Sequence, residues 1–199
     1  MIIGSISENK EFEQRVALTP DIIKKYKSLG LDVYLSNDYA LHLGISDKEY
    51  ENEGAKILPD NEIIANSNAI LQMNILSDEN LDKLKKDQTL IGVLNPYLNE
   101  TKLKKVISKN VNCFSLELLP RITRAQSMDV LSSQANLAGY KAVVDSFSYF
   151  QKAIPMMMTA AGTISAAKVL IVGAGVAGLQ AIATAKRMGA IVFATDVRL

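Results

Sequence analysis

Short apolar runs alternate along the chain with segments whose apolar residues recur at helical spacing. Residues 2–6 predict a short buried strand. A polar segment, 7–15, separates it from Thr19-Pro20, which suits the N-cap and first turn of a helix. Ile22, Ile23, Tyr26 and Leu29 follow at helical spacing, and Gly30 is a natural stop. Residues 32–35 predict the next strand. Ser46-Asp-Lys-Glu49 reads as a capping box opening a short helix that Gly54 ends. A weak strand (55–58) and a short helix (60–66) come next. Strands at 69–73, 89–94 and 111–116 then alternate with two helices. One is capped by Ser77 and carries Leu81 and Leu84. The other is capped by Asn99, with Leu103, Val106 and Ile107 on one face. This alternation argues for a parallel sheet covered by helices.

After residue 116 the pattern changes. A polar loop, 119–129, leads into a long helical stretch reaching about Tyr149, with Ala135, Ala138, Ala142 and Val143 as packing positions and Gly139 as a site of close contact or kinking. Residues 154–162 read as an apolar connector, whose methionines predict core or interface packing rather than a ligand set. Then comes the stretch that organises the rest: an apolar run from Lys168, Gly173-Ala-Gly175-Val176-Ala-Gly178, a helical pattern, and a second apolar run ending in Asp196. Strand, turn, helix, strand and acid in this order make a dinucleotide-binding fingerprint. Gly173 permits the tight turn, Gly175 lets a pyrophosphate approach the backbone, and Gly178 lets helix and strand pack closely. Amides from Val176 onward face the phosphates at the positive end of the helix dipole. Asp196, 23 residues beyond Gly173, suits a ribose 2′-hydroxyl at the roughly 20-residue spacing of such acids. The 17 uncharged residues 169–185 reach only the short limit of a membrane span, about 17 to 25 residues, and the glycines, Gln180 and Thr184 argue against one. Two strands are fewer than a dinucleotide fold needs, so the second domain is expected to be cut short.

Composition narrows the function classes. At 199 residues the chain has room for one or two domains with a real core. Lys+Arg 22 against Asp+Glu 21 leaves a net charge of +1, so nothing in bulk electrostatics predicts a nucleic-acid partner or an anionic membrane surface. The single cysteine, Cys113, sits in an apolar run and reads as a structural thiol. The single histidine, His42, has no Cys or His neighbour, so no metal site is expected. Residues 1–4 lack the basic start and long apolar core of a signal peptide.

The loop before the long helix concentrates chemistry. Arg121 and Arg124 present planar donor forks to phosphate or carboxylate, Gln126 can pair with a carboxamide, and Asp129 can accept from ribose hydroxyls or hold an arginine. Such a loop at a domain junction could reach the nicotinamide half of a dinucleotide. A solvated loop ahead of an ordinary helix start, with Ser127 as cap, accounts for the same residue types.

Pro120-Arg-Ile-Thr-Arg-Ala-Gln-Ser-Met-Asp-Val-Leu-Ser-Ser-Gln-Ala-Asn-Leu-Ala-Gly-Tyr140 resembles the signature of the alpha subunits of proton-translocating NAD(P) transhydrogenases. Met157-Met-Thr-Ala-Ala-Gly162, the glycine stretch through Ala190, Ala194-Thr-Asp-Val-Arg198 and Arg15-Val-Ala-Leu-Thr-Pro20 continue the resemblance, which is loose over 37–112. It implies an NAD(H)-binding component that passes hydride directly to NADP(+) held by a partner beta subunit, coupled to proton movement through a membrane domain. The protein then contributes positioning and electrostatics. It also implies a homodimer, cytoplasmic and peripherally attached to the inner membrane through its partners. Arg121, Gln126 and Asp129 match the residues that orient the nicotinamide and its ribose. Ile122, Thr123, Arg124 and Ser132 match further contacts, Val176 the glycine-loop contact, and Asp196, Val197 and Arg198 the adenosine-ribose segment. The Asp196 carboxylate favours NAD over NADP.

Alanine dehydrogenase is the related alternative. Its pyruvate site resembles an arginine, a lysine and a histidine from the first domain. Arg15 matches the arginine, but Gln72 stands at the lysine position and residues 95–98 contain no histidine. A keto acid would lack both a cationic clamp and a general acid. An inert fragment acting only through packing is the remaining reading. The expected architecture is α/β: an N-terminal flavodoxin-like or Rossmann-like parallel-sheet domain over 1–130, then a connecting helix and a truncated Rossmann dinucleotide-binding domain over 131–199.

Overall fold

A computed structural model describes residues 1–197. The chain divides into two compact units, Met1–Ile122 and Thr123–Leu199.

The first unit is a doubly wound parallel sheet. Its strands are β1 (Ile2–Ser5), β2 (Asp32–Leu35), β3 (Ala55–Ile57), β4 (Ala69–Asn74), β5 (Thr89–Val93) and β6 (Asn112–Ser115). They lie in the order β3-β2-β1-β4-β5-β6, every pair parallel. That is the Rossmann strand order rather than the flavodoxin one, and its switch point falls between β1 and β4. Helices α1 (Pro20–Ser28), α2 (Asp47–Asn52), α3 (Asp60–Asn66), α4 (Asp78–Lys83) and α5 (Glu100–Ser108) connect the strands. Two cores result. Ile3, Ile23, Val33, Leu35 and Tyr50 form one, while Ile63, Ile64, Ile70, Leu81, Leu90 and Val106 form the other. Each fully buried aliphatic side chain stabilises by about 1.5–3 kcal/mol.

Local chemistry follows the sequence with a few departures. The Ser46 N–H donates to Glu49 at 2.7 Å, as a capping box requires. Thr19 and Asn99 occupy N-cap positions without a side-chain cap bond. The Asn99 amide instead donates to the Leu94 carbonyl at 2.9 Å, tying α5 back to the end of β5. Val106 is buried and Leu103 packs against the same core, but Ile107 is exposed, so α5 turns only part of its predicted face inward.

In the second unit, α6 (Val130–Tyr149) precedes an antiparallel pair, β7 (Met157–Thr159) and β8 (Gly162–Ile164), and then a parallel pair, β9 (Lys168–Val172) and β10 (Ile191–Thr195), joined through α7 (Val176–Arg187). The predicted connector is thus a hairpin. Met156, Met157 and Met158 are exposed on it, and they do not belong to the core of this unit. That core is Val143, Ala181 and Ala185, with Phe147, Val169, Ile171 and Val192 packed around them. Gly139 and Val143 are the buried positions of α6. Ala138 and Ala142, expected to pack, are exposed. Among the described residues no helix is long and apolar enough to cross a membrane.

Candidate functional site

The second unit builds its site at the carboxyl ends of β9 and β10. The two strands run in register from Lys168 beside Ile191 to Val172 beside Thr195. Gly173 then turns the chain with φ +97°, in the left-handed region that side chains resist, and its N–H donates to Thr195 at 2.7 Å. Gly175 is the N-cap of α7. A Cβ on Gly178 would lie 1.8 Å from the Gly173 carbonyl oxygen, so the first turn of α7 sits directly on the turn that leads into it. The first amides of α7 have no intrahelical acceptor and point toward the strand ends, where an anion is favoured.

Asp196 closes this arrangement. Its Oδ2 accepts from the Ala174 N–H at 2.6 Å, across 22 residues of sequence. Val172, Gly173, Thr195, Asp196 and Val197 line a crevice of about 180 Å³ beside it. Val176, at the head of α7, is exposed. Arg198 lies outside the described residues.

The polar loop holds its residues differently. Arg121 and Ile122 are exposed at the end of the first unit, and the Ile122 N–H donates to the Pro120 carbonyl at 2.9 Å. A 3₁₀ helix, Thr123–Met128, follows. Thr123, Arg124 and Gln126 face solvent, while Ala125 is buried and anchors the turn. Asp129, not Ser127, caps α6. Its Oδ1 accepts from the Ser132 N–H at 2.9 Å and its Oδ2 from the Ser132 hydroxyl at 2.7 Å. Asp129 and Ser132, matched separately in the sequence, are therefore one hydrogen-bonded pair. Helix α6 packs on α7 below them, with Gly139 against Ala177 and the Asn136 amide donating to Gln180 at 3.3 Å.

Sequence reasoning missed a crevice in the first unit. It opens at the carboxyl ends of β1 and β4, the switch point of the sheet, where ligands bind in open α/β folds. Its volume is about 440 Å³, and Ser7, Glu8, Phe12, Glu13, Gln72 and Asn74 are among its walls. Glu8 Oε1 accepts from the Met73 N–H at 2.7 Å and the Asn74 N–H at 3.1 Å, where the β4–β5 register shifts. Burial pushes the Glu8 carboxyl above its ordinary range, against the pull of those two amides. Arg15 donates to both oxygens of Glu13, at 2.8 Å and 2.6 Å, and holds its carboxyl down at about 2. Gln72 is buried and internally committed, its Oε1 accepting from the Ile6 N–H at 2.9 Å and the Ser5 hydroxyl at 3.1 Å. The signal available beforehand was a pair of glutamates just beyond the first strand. Cys113 is half-buried and its thiol is pushed up by burial, whereas His42 meets the Gln14 carbonyl at 2.7 Å. Among the described residues no three His, Cys, Asp or Glu gather as metal ligands.

The same build occurs in known proteins. The family model described as alanine dehydrogenase/PNT, N-terminal domain, matches residues 4–138, and the one described as alanine dehydrogenase/PNT, C-terminal domain, matches residues 142–199. A Rickettsia prowazekii (strain Madrid E) protein, named as the first part of NAD(P) transhydrogenase subunit alpha, is 45% identical over all of this chain and 53% of its own length. Alanine dehydrogenase of Methanococcus maripaludis is 27% identical over 99% of this chain and 53% of its own length. The crystal structure of transhydrogenase from Sinorhizobium meliloti superposes with a TM-score of 0.94 at 46% identity, covering 100% of this chain and 59% of that one. The chain thus spans about half the length of the curated relatives it matches. With a family match that runs through both units, the chain belongs to the alanine dehydrogenase/PNT family.

Proposed function

We propose that this chain is the NAD(H)-binding part of a proton-translocating NAD(P) transhydrogenase. Hydride passes directly between its nicotinamide and an NADP(H) held by a partner beta subunit, and a membrane domain couples the transfer to proton movement. The observation that carries this reading is the glycine turn of β9 and α7, closed by the bond from Ala174 to Asp196. A pyrophosphate at that turn meets the first amides of α7 and the positive end of its dipole. Asp196 and Val197 then lie beside the adenosine ribose, and the negative charge of Asp196 disfavours a 2′-phosphate.

The chemistry asked of the protein is positioning. In this reading Arg121, Gln126 and Asp129 orient the nicotinamide and its ribose, with Ile122, Thr123, Arg124 and Ser132 along the same contact. The Asp129–Ser132 pair supports the assignment, because each group fixes the other's donor and acceptor directions. The nicotinamide supplies the hydride chemistry when bound. Association with the beta subunit, a homodimeric state and a peripheral position at the inner membrane belong to the same proposal.

Two observations favour this over an alanine-dehydrogenase-like activity. The position expected to hold a lysine carries Gln72, whose carbonyl is consumed by Ile6 and Ser5. Arg15 grips Glu13 through two of its nitrogens, which blunts it as a clamp for a keto acid. The test is NADH titration by fluorescence, followed by hydride transfer to an NAD analogue with and without the NADPH-bearing partner. Saturable binding weakened by Gly175→Val and Asp196→Ala, with transfer only when the partner is present, is the expected result. Turnover of pyruvate and ammonia by the chain alone would replace the proposal with the dehydrogenase. Failure to bind NADH would leave only a packing role.

A further inference from the structure

Gly139 sits in the middle of α6, where glycine is a poorer helix former than alanine. Its φ is helical, so the residue is not there for a turn. The reason is contact. A Cβ at this position would lie 2.0 Å from the Ala177 carbonyl oxygen, 2.8 Å from its carbon and 3.0 Å from its Cα. All three are backbone atoms of the first turn of α7, and none can swing aside as a side chain does. The opposite side of the same turn is equally close, because a Cβ on Gly178 would meet the Gly173 carbonyl oxygen at 1.8 Å. The turn is therefore held between the α6 backbone on one side and the strand-to-helix turn on the other, with no side chain in either gap.

We propose that Gly139 is a positioning residue for the dinucleotide site, setting the place of the α7 amides that meet the pyrophosphate. This rests on the dinucleotide reading above. The next turns of the interface lock the register. Asn136 donates to Gln180, the Gln180 amide donates to the Thr184 hydroxyl at 3.2 Å, and Val143 packs with Ala181 and Ala185. Normal contact needs carbon atoms about 3.5–4.0 Å from their neighbours. A methyl on Gly139 therefore drives the first turn of α7 away by about 1 Å or more. A displacement of about 1 Å at a positioning element can cost on the order of 100-fold in rate. The turn cannot yield toward β9, because Gly178 already touches Gly173.

The experiment compares Gly139→Ala with Val143→Ala in the full chain. Val143→Ala trims the same interface without pushing on Ala177, so it reports destabilisation alone. Affinities for NADH, ADP and adenosine are measured at a temperature well below both unfolding midpoints. Gly139→Ala is expected to raise the Kd for NADH and ADP by about tenfold or more and to leave adenosine within about twofold, while Val143→Ala leaves all three within about twofold. Equal effects of the two substitutions, or an equal loss for adenosine, would overturn the inference and leave the dinucleotide reading intact. An unsubstituted chain that binds no NADH overturns both. If Gly139→Ala does not fold, amide exchange on the unsubstituted chain decides instead. ADP should then slow exchange in α6 around Gly139 together with the first turn of α7, and slowing confined to α7 would sink the proposal.

Discussion

The crevice of the first unit and the glycine turn of the second both lie at the carboxyl ends of parallel strands, yet they satisfy their backbone amides in opposite ways. At the β1–β4 switch point the chain brings its own anion. Glu8 accepts from two successive amides, Met73 and Asn74, at an irregular step of the sheet. At the β9–β10 edge Asp196 takes the Ala174 amide, which lies ahead of α7, and the first turn of that helix stands at a surface kept bare by glycine. An internal carboxylate makes the first crevice a braced structural corner with little appeal to an external anion. In the proposed function, the second is a corner left for a ligand's phosphates. The same strand-end geometry can thus serve as a buttress or, as proposed for the second unit, as a binding site, depending on whether a side chain of the protein takes the amides at the strand end.

The largest expected effect breaks the second corner. Gly178→Val places side-chain atoms where the Gly173 carbonyl already sits, and NADH affinity should fall by about 100-fold or more. A fluorescence titration that gives an unchanged Kd would mean the turn does not hold the cofactor. The next effect separates the corners. Glu8→Ala strands two amides and should cost the first unit about 1–3 kcal/mol in urea unfolding. NADH affinity should stay within about twofold of the unsubstituted chain, and a parallel loss of affinity would erase the contrast.

The smallest effect is in pH. Glu13 is held down from 4.5 to about 2 by Arg15, so its contribution is present above about pH 4.5 and is lost as pH falls toward 2. Glu8 is shifted the other way by burial. Folding favours its protonated form more than the unfolded chain does, so this contribution is present below about pH 4.5 and fades as pH climbs through its raised value. Glu13→Gln should flatten the acid limb of a stability profile, and Glu8→Gln the limb above pH 4.5. Identical profiles for both substitutions would show that the two carboxylates titrate as one group.

The two corners were unequally legible in the sequence. Gly173, Gly175, Gly178 and Asp196 announce themselves because each answers a backbone constraint within a single strand-turn-helix-strand unit. The crevice around Glu8 depends on residues 66 positions apart meeting across β1 and β4. No local pattern encodes that register, and the glutamates read only as part of a polar segment. The strand alternation of the first unit was legible for the opposite reason, since each strand and helix carries its own period. Their spatial order was not, because order is a property of the crossovers. The β7–β8 hairpin was hidden by composition: a methionine-rich run suggests packing, and only the pairing of Met157 with Ile164 and Thr159 with Gly162 reveals strands. Helix α6 misled in its details, because Ala138 and Ala142 are as small as a packing residue should be but point outward. Close approach was reserved for Gly139.

The bond from Ala174 to Asp196 carries a consequence for cofactor engineering. One carboxylate both pins the turn and, in the proposed function, selects the ribose. Replacing Asp196 with an apolar or basic residue to admit a phosphorylated ribose would also strip the Ala174 N–H of its acceptor. A redesign aimed at the second cofactor therefore has to keep or furnish an acceptor at the same time, and an apolar or basic substitution at this position alone would change preference only by loosening the site it was meant to retune.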